Sequence, residues 1–372
     1  MQTRYSQEAP PELCPRTSIR THPKNLIAED LHVFKSCLAY DMPAATVRVL
    51  HSVEAHGRGP LRQNSEYLVE SFVCEDHAFT WRRRRGHWRA ALERRLQRRS
   101  HLSDPVIWIT DNWSCGYYHW ICDALPRLQL ASRAYDLSRL TLLLPYKYRR
   151  HAYMVESLKP FGLGGVRFLK RFERIECDEM VFPSHLAVTG NHEESIIWEL
   201  RDRILQFMQS NAVDHSSAAT PVAIGGDRVY LSRRLAGKRR IQNESEVLSV
   251  LRNHGFVEFV AEQYDWETQV RVASNADVLV ASHGGGLANI MVMKPGSQVL
   301  EMRDAIGPIP NCFFNLASAA GLNYYYMLCQ RADMKKDAHW ADIVVDLKKL
   351  DQTIDQMTVG SEVDASKPRR IA

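Results

Sequence analysis

His119, Asp123 and Arg127 follow one another at intervals of four residues in the segment G-Y-Y-H-W-I-C-D-A-L-P-R-L, residues 116–128. In a helix that spacing lines all three along one face. A carboxylate so placed can act as general base toward a hydroxyl, with the histidine orienting it or sharing its proton. The spacing equally suits a structural Asp123–Arg127 pair with His119 packed against Trp120, and the residues alone leave both readings open. Pro126 removes a backbone bond, so it should bend the helix or limit where it starts.

A second set of residues lies in V-L-V-A-S-H-G-G-G-L-A-N, residues 278–289. A run with the composition of a buried strand ends at Ser282, His283 and three glycines follow, and Leu287 opens a helix. Glycines let a ligand approach the backbone, and a helix start presents unpaired N–H groups. The combination suits a pyrophosphate; the alternative is a tight strand-to-helix turn around a buried histidine. It is neither a Walker A loop nor G-x-G-x-x-G, so the common ATP and NAD fingerprints are missing. Glu301 ends the next strand-like run, S-Q-V-L-E-M, where it could accept from both ribose hydroxyls of a nucleotide or be a surface charge. Arg233, Arg234, Lys238, Arg239 and Arg240 follow another strand-like run, R-V-Y-L-S at 228–232. Arginine forks bind diphosphates well, although a solvated basic loop has the same composition.

The elements that must position these residues form an α/β pattern. Short strands are expected at 46–51 and 67–73, followed by strands at 105–110, 141–145 and 166–169 and helices at 117–133, 150–160 and 193–210. After a polar, Gly-containing linker at 211–226 the alternation is cleaner. Strands at 228–232, 256–260, 277–282, 297–302 and 323–328 are separated by helices through 254, at 265–275, up to 293 and at 311–321. Asn243 and Glu246 can cap the first of these. A final strand at 343–347 precedes a helix at 348–358. Such alternation predicts parallel sheets covered by helices. The expected organisation is an irregular lead-in at 1–45, an α/β domain at 46–215 and a second, Rossmann-like α/β domain at 216–372.

Composition narrows the function classes. The 372 residues are 45% hydrophobic and 24% charged, as in an ordinary globular protein. No apolar run approaches 18 residues, and the first 20 residues lack the apolar core of a secretory signal. The eight cysteines contain no C-x-x-C pair, which points away from zinc and disulfide scaffolds and toward a reducing cytoplasm. The net charge is +5, yet residues 82–99 hold nine arginines against Glu93 and carry +8, which leaves the rest at −3. Basicity is therefore local, and a general polyanion binder is disfavoured. A helix over 87–99 would align Trp88, Leu92 and Leu96 opposite arginines, suiting an anionic membrane surface, an acidic glycan or simple packing on the domain. No nucleic-acid motif accompanies it, so no nucleic-acid partner is expected.

Y-Y-H-W-I-C-D-A-L-P-R-L resembles the N-x-x-H-x-x-x-D-x-x-P-R segment of glycosyltransferase family 61. L-S-R-R with the later I-Q-N-E-S-E is similar to that family's S-R…R-x-I-x-N-E stretch, and S-H-G-G-G-L-A-N…K-P-G-S-Q-V-L-E to its H-G-A-G-L-T-N…P-G-x-x-V-I-E block. The three blocks occur in order over residues 112–302. The resemblance implies a GT-B-like architecture, two Rossmann-like domains facing a central cleft, and inverting transfer from a nucleotide sugar, UDP-linked in expectation, to a glycan or glycolipid hydroxyl. It implies Ser232, Arg233, Arg239, Asn243, Glu244, His283, Gly284, Gly286, Leu287, Asn289 and Glu301 in the donor half, to which the glycine turn itself adds Gly285 as a phosphate-binding candidate. His119, Asp123 and Arg127, with Tyr118 beside them, fall in the acceptor half. Gly285 stands where the family has alanine, Ala288 where it has threonine, and Gly116 at a common asparagine position. No D-x-D occurs, which fits a metal-free donor site with no cofactor. The expected setting is a bacterial cytoplasmic enzyme of capsule-type polysaccharide synthesis, peripheral at the inner membrane face. A GT-B-like sugar-nucleotide epimerase and a non-catalytic polyanion- or membrane-binding protein are the alternatives.

Overall fold

The β-branched and aliphatic runs anticipated above form two separate sheets. The computed structural model describes residues 13–84, 97–212, 226–307 and 309–365. Contacts divide the chain into a first unit of residues up to 19 and 39–214, and a second of residues 20–38 and 215 onward.

In the first unit, β1 (Arg16–Ile19) and β2 (Ala39–Met42) pair antiparallel. The main sheet contains β3 (Val47–His56), β4 (Gly59–Gln63), β5 (Glu66–Tyr67), β6 (Arg98–Leu102), β7 (Val106–Ile107), β8 (Thr141–Leu144), β9 (Gly165–Phe168) and β10 (Glu173–Pro183). Its order is β5-β4-β3-β10-β7-β8-β9, with β6 also pairing with β10. The β7, β8 and β9 strands run parallel, whereas β3 runs antiparallel to β10, so this sheet is mixed and departs from the purely parallel expectation. The sequence reading passed over β10, the strand that joins the two halves of the sheet. Its first half alternates Glu173, Arg174, Glu176 and Asp178 with apolar residues, which disguises a central strand as a polar stretch. Ile175, Cys177, Met180 and Phe182 are nonetheless buried with Val53, Ala55 and Trp108 in one core.

The expected strand at 67–73 is largely a short 3-10 turn, Val69–Ser71, where the Ser71 hydroxyl donates to the carbonyl of Leu68 and accepts from the N–H of Leu61 on β4. The expected helix at 87–99 falls mainly on residues outside those described; at its end, Arg98 and Arg99 open the strand β6. Residues 13–45, expected to be irregular, include β1, β2 and the short helix Leu31–Phe34. Within the second unit, Asn25 bonds the backbone of Tyr326, and Phe34 packs edge-on against Phe314, Tyr324 and Tyr326.

The second unit carries β11 (Arg228–Leu231), β12 (Val257–Phe259), β13 (Val278–Ser282), β14 (Gln298–Asp304), β15 (Asn323–Arg331) and β16 (Ile343–Val344) in the order β12-β11-β13-β14-β15-β16. All neighbours are parallel except β16, which is antiparallel to β15. Strands β13 and β14 are buried throughout, as expected where helices cover both faces of a sheet. The helix Glu244–Asn253 is not capped by the Asn243 side chain, which instead makes a two-way bond with the backbone of Val345. Strand order reverses at β11, with β12 on one side and β13 on the other. In open parallel sheets ligands bind in the crevice at such a reversal, beyond the carboxyl ends of the strands. No helix among the described residues is long and apolar enough to cross a membrane.

Candidate active site

In the first unit the helix that carries His119, Asp123 and Arg127 is not uniform. An α turn at Tyr117–His119 passes into a π segment at Trp120–Ala124, and α geometry resumes at Leu125–Ser132 with Pro126 in its first turn. The bend expected of Pro126 is thus realised as a widened turn before it. His119 Nδ1 lies 2.8 Å from Asp123 Oδ2, and Thr189 Oγ1 donates to the same oxygen at 2.7 Å. The extra residue of the π segment rotates everything after it about the axis, so Arg127 leaves the face it would share in a regular helix. It is 1% exposed and donates through Nε and Nη2 to the carbonyl of Pro183, under the ring of Phe182. The acceptor-side role of Arg127 is therefore corrected: it ties this helix to β10. Burial pulls its pKa down to about 10.

Burial also raises the Asp123 carboxyl above the ordinary aspartate value, against the hydrogen bonds of His119 and Thr189 and with help from the charge of Asp111. The Asp123 side chain is 9% exposed and that of His119 25%. Tyr118 packs edge-on to His119, and its hydroxyl lies 3.2 Å from His192 Nε2. The cluster is a shielded carboxylate whose imidazole neighbour remains open to solvent, an arrangement suited to taking a proton from a bound hydroxyl.

In the second unit, β11 leads into residues 232–240 and β13 into His283 and Gly284, side by side at the strand-order reversal. Arg233 folds back over its own loop, donating through Nη2 to the carbonyl of Lys238 at 3.0 Å and through Nε to that of Arg239 at 3.3 Å. Ser282 Oγ also donates to the Arg239 carbonyl, which fastens the loop to β13. A Cβ on residue 284 would fall 1.9 Å from Arg233 Nη1. The backbone of Gly284 is extended (φ 176°), so it is the guanidinium lying against it that excludes a side chain. The backbone of Arg239 is left-handed (φ 56°), uncommon for a residue other than glycine and a mark of imposed geometry.

The five basic residues do not act alike. Arg234 pairs with Glu258 and Arg240 with Asp342. No carboxylate lies within ion-pair distance of Arg233, Lys238 or Arg239 among the described residues. Lys238 Nζ sits 4.1 Å above the ring of Trp340, and Arg239 Nη1 lies 3.4 Å from His339 Nδ1. Burial depresses all three cations, and mutual repulsion adds to this for Lys238 and Arg239, the latter reaching about 10. His339 is lowered by burial and by Lys238 and Arg239 as well. Glu262 and Asp342 act on Arg233, and Glu301 on Arg239, only from beyond ion-pair distance, so a bound anion would relieve the remaining repulsion.

His283 and Glu301 form a buried pair beside this cluster. Glu301 is 0% exposed; His283 Nδ1 meets its Oε1 and Tyr324 donates to its Oε2. Both oxygens are thus occupied within the protein, which corrects the ribose-binding reading of Glu301. Burial lowers His283 toward the neutral form, against Glu301, while His283 and Arg303 hold Glu301 ionised against the effect of its own burial. A small cavity of about 10 Å³, room for about one water, is lined here by Arg239, Ser282, His283 and Arg303.

The residues after the turn form a 3-10 helix, Gly285–Val292, in place of the expected α-helix. Leu287 is fully buried and its N–H donates to the carbonyl of Gly284. The Asn289 side chain donates to Gln269. These bonds hold the turn in shape. A Cβ on Gly286 would lie 2.9 Å from the terminal methyl of Leu231, so a side chain there would make Leu231 shift. Gly285 continues the turn.

Residues 117–300, about half of the chain, match the family Glycosyltransferase 61. The chain belongs to glycosyltransferase family 61. Curated relatives include three proteins named EGF domain-specific O-linked N-acetylglucosamine transferase. That of Drosophila melanogaster is 29% identical over 98 residues, 26% of this chain and 18% of the fly protein. The Gallus gallus protein is 25% identical over 105 residues, covering 27% and 19% of the two chains. The Canis lupus familiaris protein is 25% identical over 105 residues, covering 27% and 20%. The alignments thus span only about a fifth of the relatives' length.

Several family 61 motif residues of this chain build the scaffold. Ser232 and Tyr230 both donate to Glu244 at 2.7 Å, fixing the start of the basic loop. Sequence reasoning missed Thr189, which lies far along the chain from Asp123, and Arg303, His339 and Trp340, which no spacing rule connects to residues 233–239. Only the placement of Arg303 two residues after Glu301 on one strand could have signalled it. Replacing Gly284 with alanine should push the Arg233 guanidinium aside while the fold persists. Loss of one charge-assisted contact, about 1.5–3 kcal/mol, corresponds to roughly a ten- to hundredfold weaker nucleoside diphosphate affinity, measurable by titration calorimetry with unchanged circular dichroism.

Proposed function

We propose that this chain is an inverting GT-B-type glycosyltransferase that moves a sugar from a nucleotide sugar to a hydroxyl of a glycan or glycolipid. The observation that carries the donor side is the set of cations Arg233, Lys238 and Arg239, with no carboxylate at ion-pair distance among the described residues, gathered at the strand-order reversal of a parallel sheet. The relatives are named as sugar transferases, which is consistent with this reading. Two α/β units, one offering a shielded carboxylate and the other an anion site, are the parts such an enzyme requires.

In this mechanism Asp123 takes the proton of the acceptor hydroxyl as its oxygen attacks the anomeric carbon in one displacement. Thr189 and His119 hold the carboxylate in place. The bond to the diphosphate breaks on the opposite side, and the charge that develops there is met by Arg233, Lys238 and Arg239. Fixed donors aimed at a developing charge supply about 2.7–4 kcal/mol each in enzymes where one has been removed. Protein cations would do the work of a divalent ion, so we propose that the reaction needs no metal.

A binding panel of nucleoside diphosphates and nucleotide sugars, UDP-linked first, with and without EDTA, tests this reading. Saturable binding of one nucleotide family that EDTA leaves unchanged is the expected result. Strict dependence on a divalent cation would overturn the metal-free assignment, and absence of any nucleotide binding would overturn the transferase reading itself.

A further inference from the structure

The groups an acceptor meets first in the first unit are those still exposed beside Asp123. The carboxylate is almost covered, whereas His119 is partly open and Trp113 is 39% exposed. The Trp113 ring centroid lies 5.1 Å from that of His119, with the planes at 55°. Its other neighbour is His77, edge-on at 4.7 Å, and His77 is held by a 3.1 Å contact between its Nδ1 and Asn112 Nδ2.

The backbone that carries this indole is anchored. The buried Asp111 accepts from the backbone N–H of Trp113 at 2.7 Å, and from both the N–H and the hydroxyl of Ser114 at 2.9 Å. The Trp113 carbonyl in turn accepts from Gly116, the residue that starts the helix bearing His119. One buried carboxylate thus sets the position of an exposed aromatic ring relative to the candidate base.

We propose that Trp113 is the floor of an acceptor subsite, stacking against one face of a pyranose ring so that a ring hydroxyl reaches Asp123. The inference rests on the transferase reading and adds the class of acceptor group the site holds: a closed sugar ring. An aromatic face is electron-rich, and the axial C–H bonds on one face of a pyranose are polarised positive, so the two surfaces attract while the equatorial hydroxyls stay at the rim. Two torsions fix an indole, and here the backbone is already tied, so little entropy is lost on contact. Trp113 precedes the family-matched residues 117–300, so this position is argued from its own surroundings.

Saturation-transfer NMR on the full chain tests it, with methyl β-glucoside, β-galactoside, β-xyloside, N-acetyl-β-glucosaminide and α-mannoside as probes and glucitol as the ring-opened control. At least one pyranoside should bind saturably and glucitol should not. Trp113→Ala should weaken that binding roughly tenfold, while Trp113→Phe, which keeps an aromatic face, should stay within roughly threefold. UDP affinity should be unchanged in both variants, and an unchanged circular dichroism spectrum and melting temperature should show that each remains folded. Equal binding to Trp113→Ala, equal binding of glucitol, or no binding of any pyranoside to the unaltered protein would each overturn the subsite. UDP binding measured in parallel keeps that failure distinct from failure of the transferase reading.

Discussion

Asp123→Asn should lower sugar transfer by roughly 10²–10⁴-fold while nucleotide affinity stays unchanged. Asparagine keeps the size of the side chain and can still accept from Thr189, so the geometry survives and the proton acceptor is lost. Because burial raises the Asp123 carboxyl, the acid limb of turnover should fall at a pH above that of an ordinary aspartate. The sign for stability is opposite to that for activity. The folded chain holds this proton to higher pH than the unfolded chain does, so the group favours folding at low pH, and that contribution is lost as pH rises through the folded value. At neutral pH the asparagine variant should therefore melt no lower than the parent protein, which separates lost catalysis from lost folding. Near-normal turnover would remove Asp123 from the role of base.

The paired substitution Arg233→Ala, Arg239→Ala should reduce nucleoside diphosphate affinity by roughly 10²–10⁴-fold. Two charge-assisted contacts of about 1.5–3 kcal/mol each account for that range. Arg234→Ala is the matched control: its guanidinium already pairs with Glu258, so it should change affinity little. Raising ionic strength should weaken binding to the parent protein and leave the paired variant less affected, since screening acts on the charges removed. Since Arg233 also closes its loop on Lys238 and Arg239, Arg239→Ala alone provides the cleaner measure of charge. Unchanged affinity in the paired variant would dissociate the cation cluster from the donor.

Local spacing made part of the site legible in advance. His119 and Asp123 are one helical turn apart, and such neighbours meet whatever the rest of the chain does; they lie 2.8 Å apart. The strand–glycine–helix order around His283 was equally local, and so were the apolar runs that became β8, β11, β13 and β15. By itself the sequence determined these elements, their α/β alternation and the membership in family 61, because each rests on residues adjacent along the chain or on motifs in fixed order.

The tertiary structure decided which residues point into a site and which hold it together. A π turn sent Arg127 to the carbonyl of Pro183, a change of direction that helical periodicity cannot anticipate. Glu301 looked like a ligand group until burial gave both its oxygens to His283 and Tyr324. Of five neighbouring cations, Glu258 and Asp342 claimed two and left Arg233, Lys238 and Arg239 to gather around Gly284 and Trp340. Residue type sets what a side chain can do; what it does depends on which distant groups the fold brings within hydrogen-bonding reach and on how much water it leaves there.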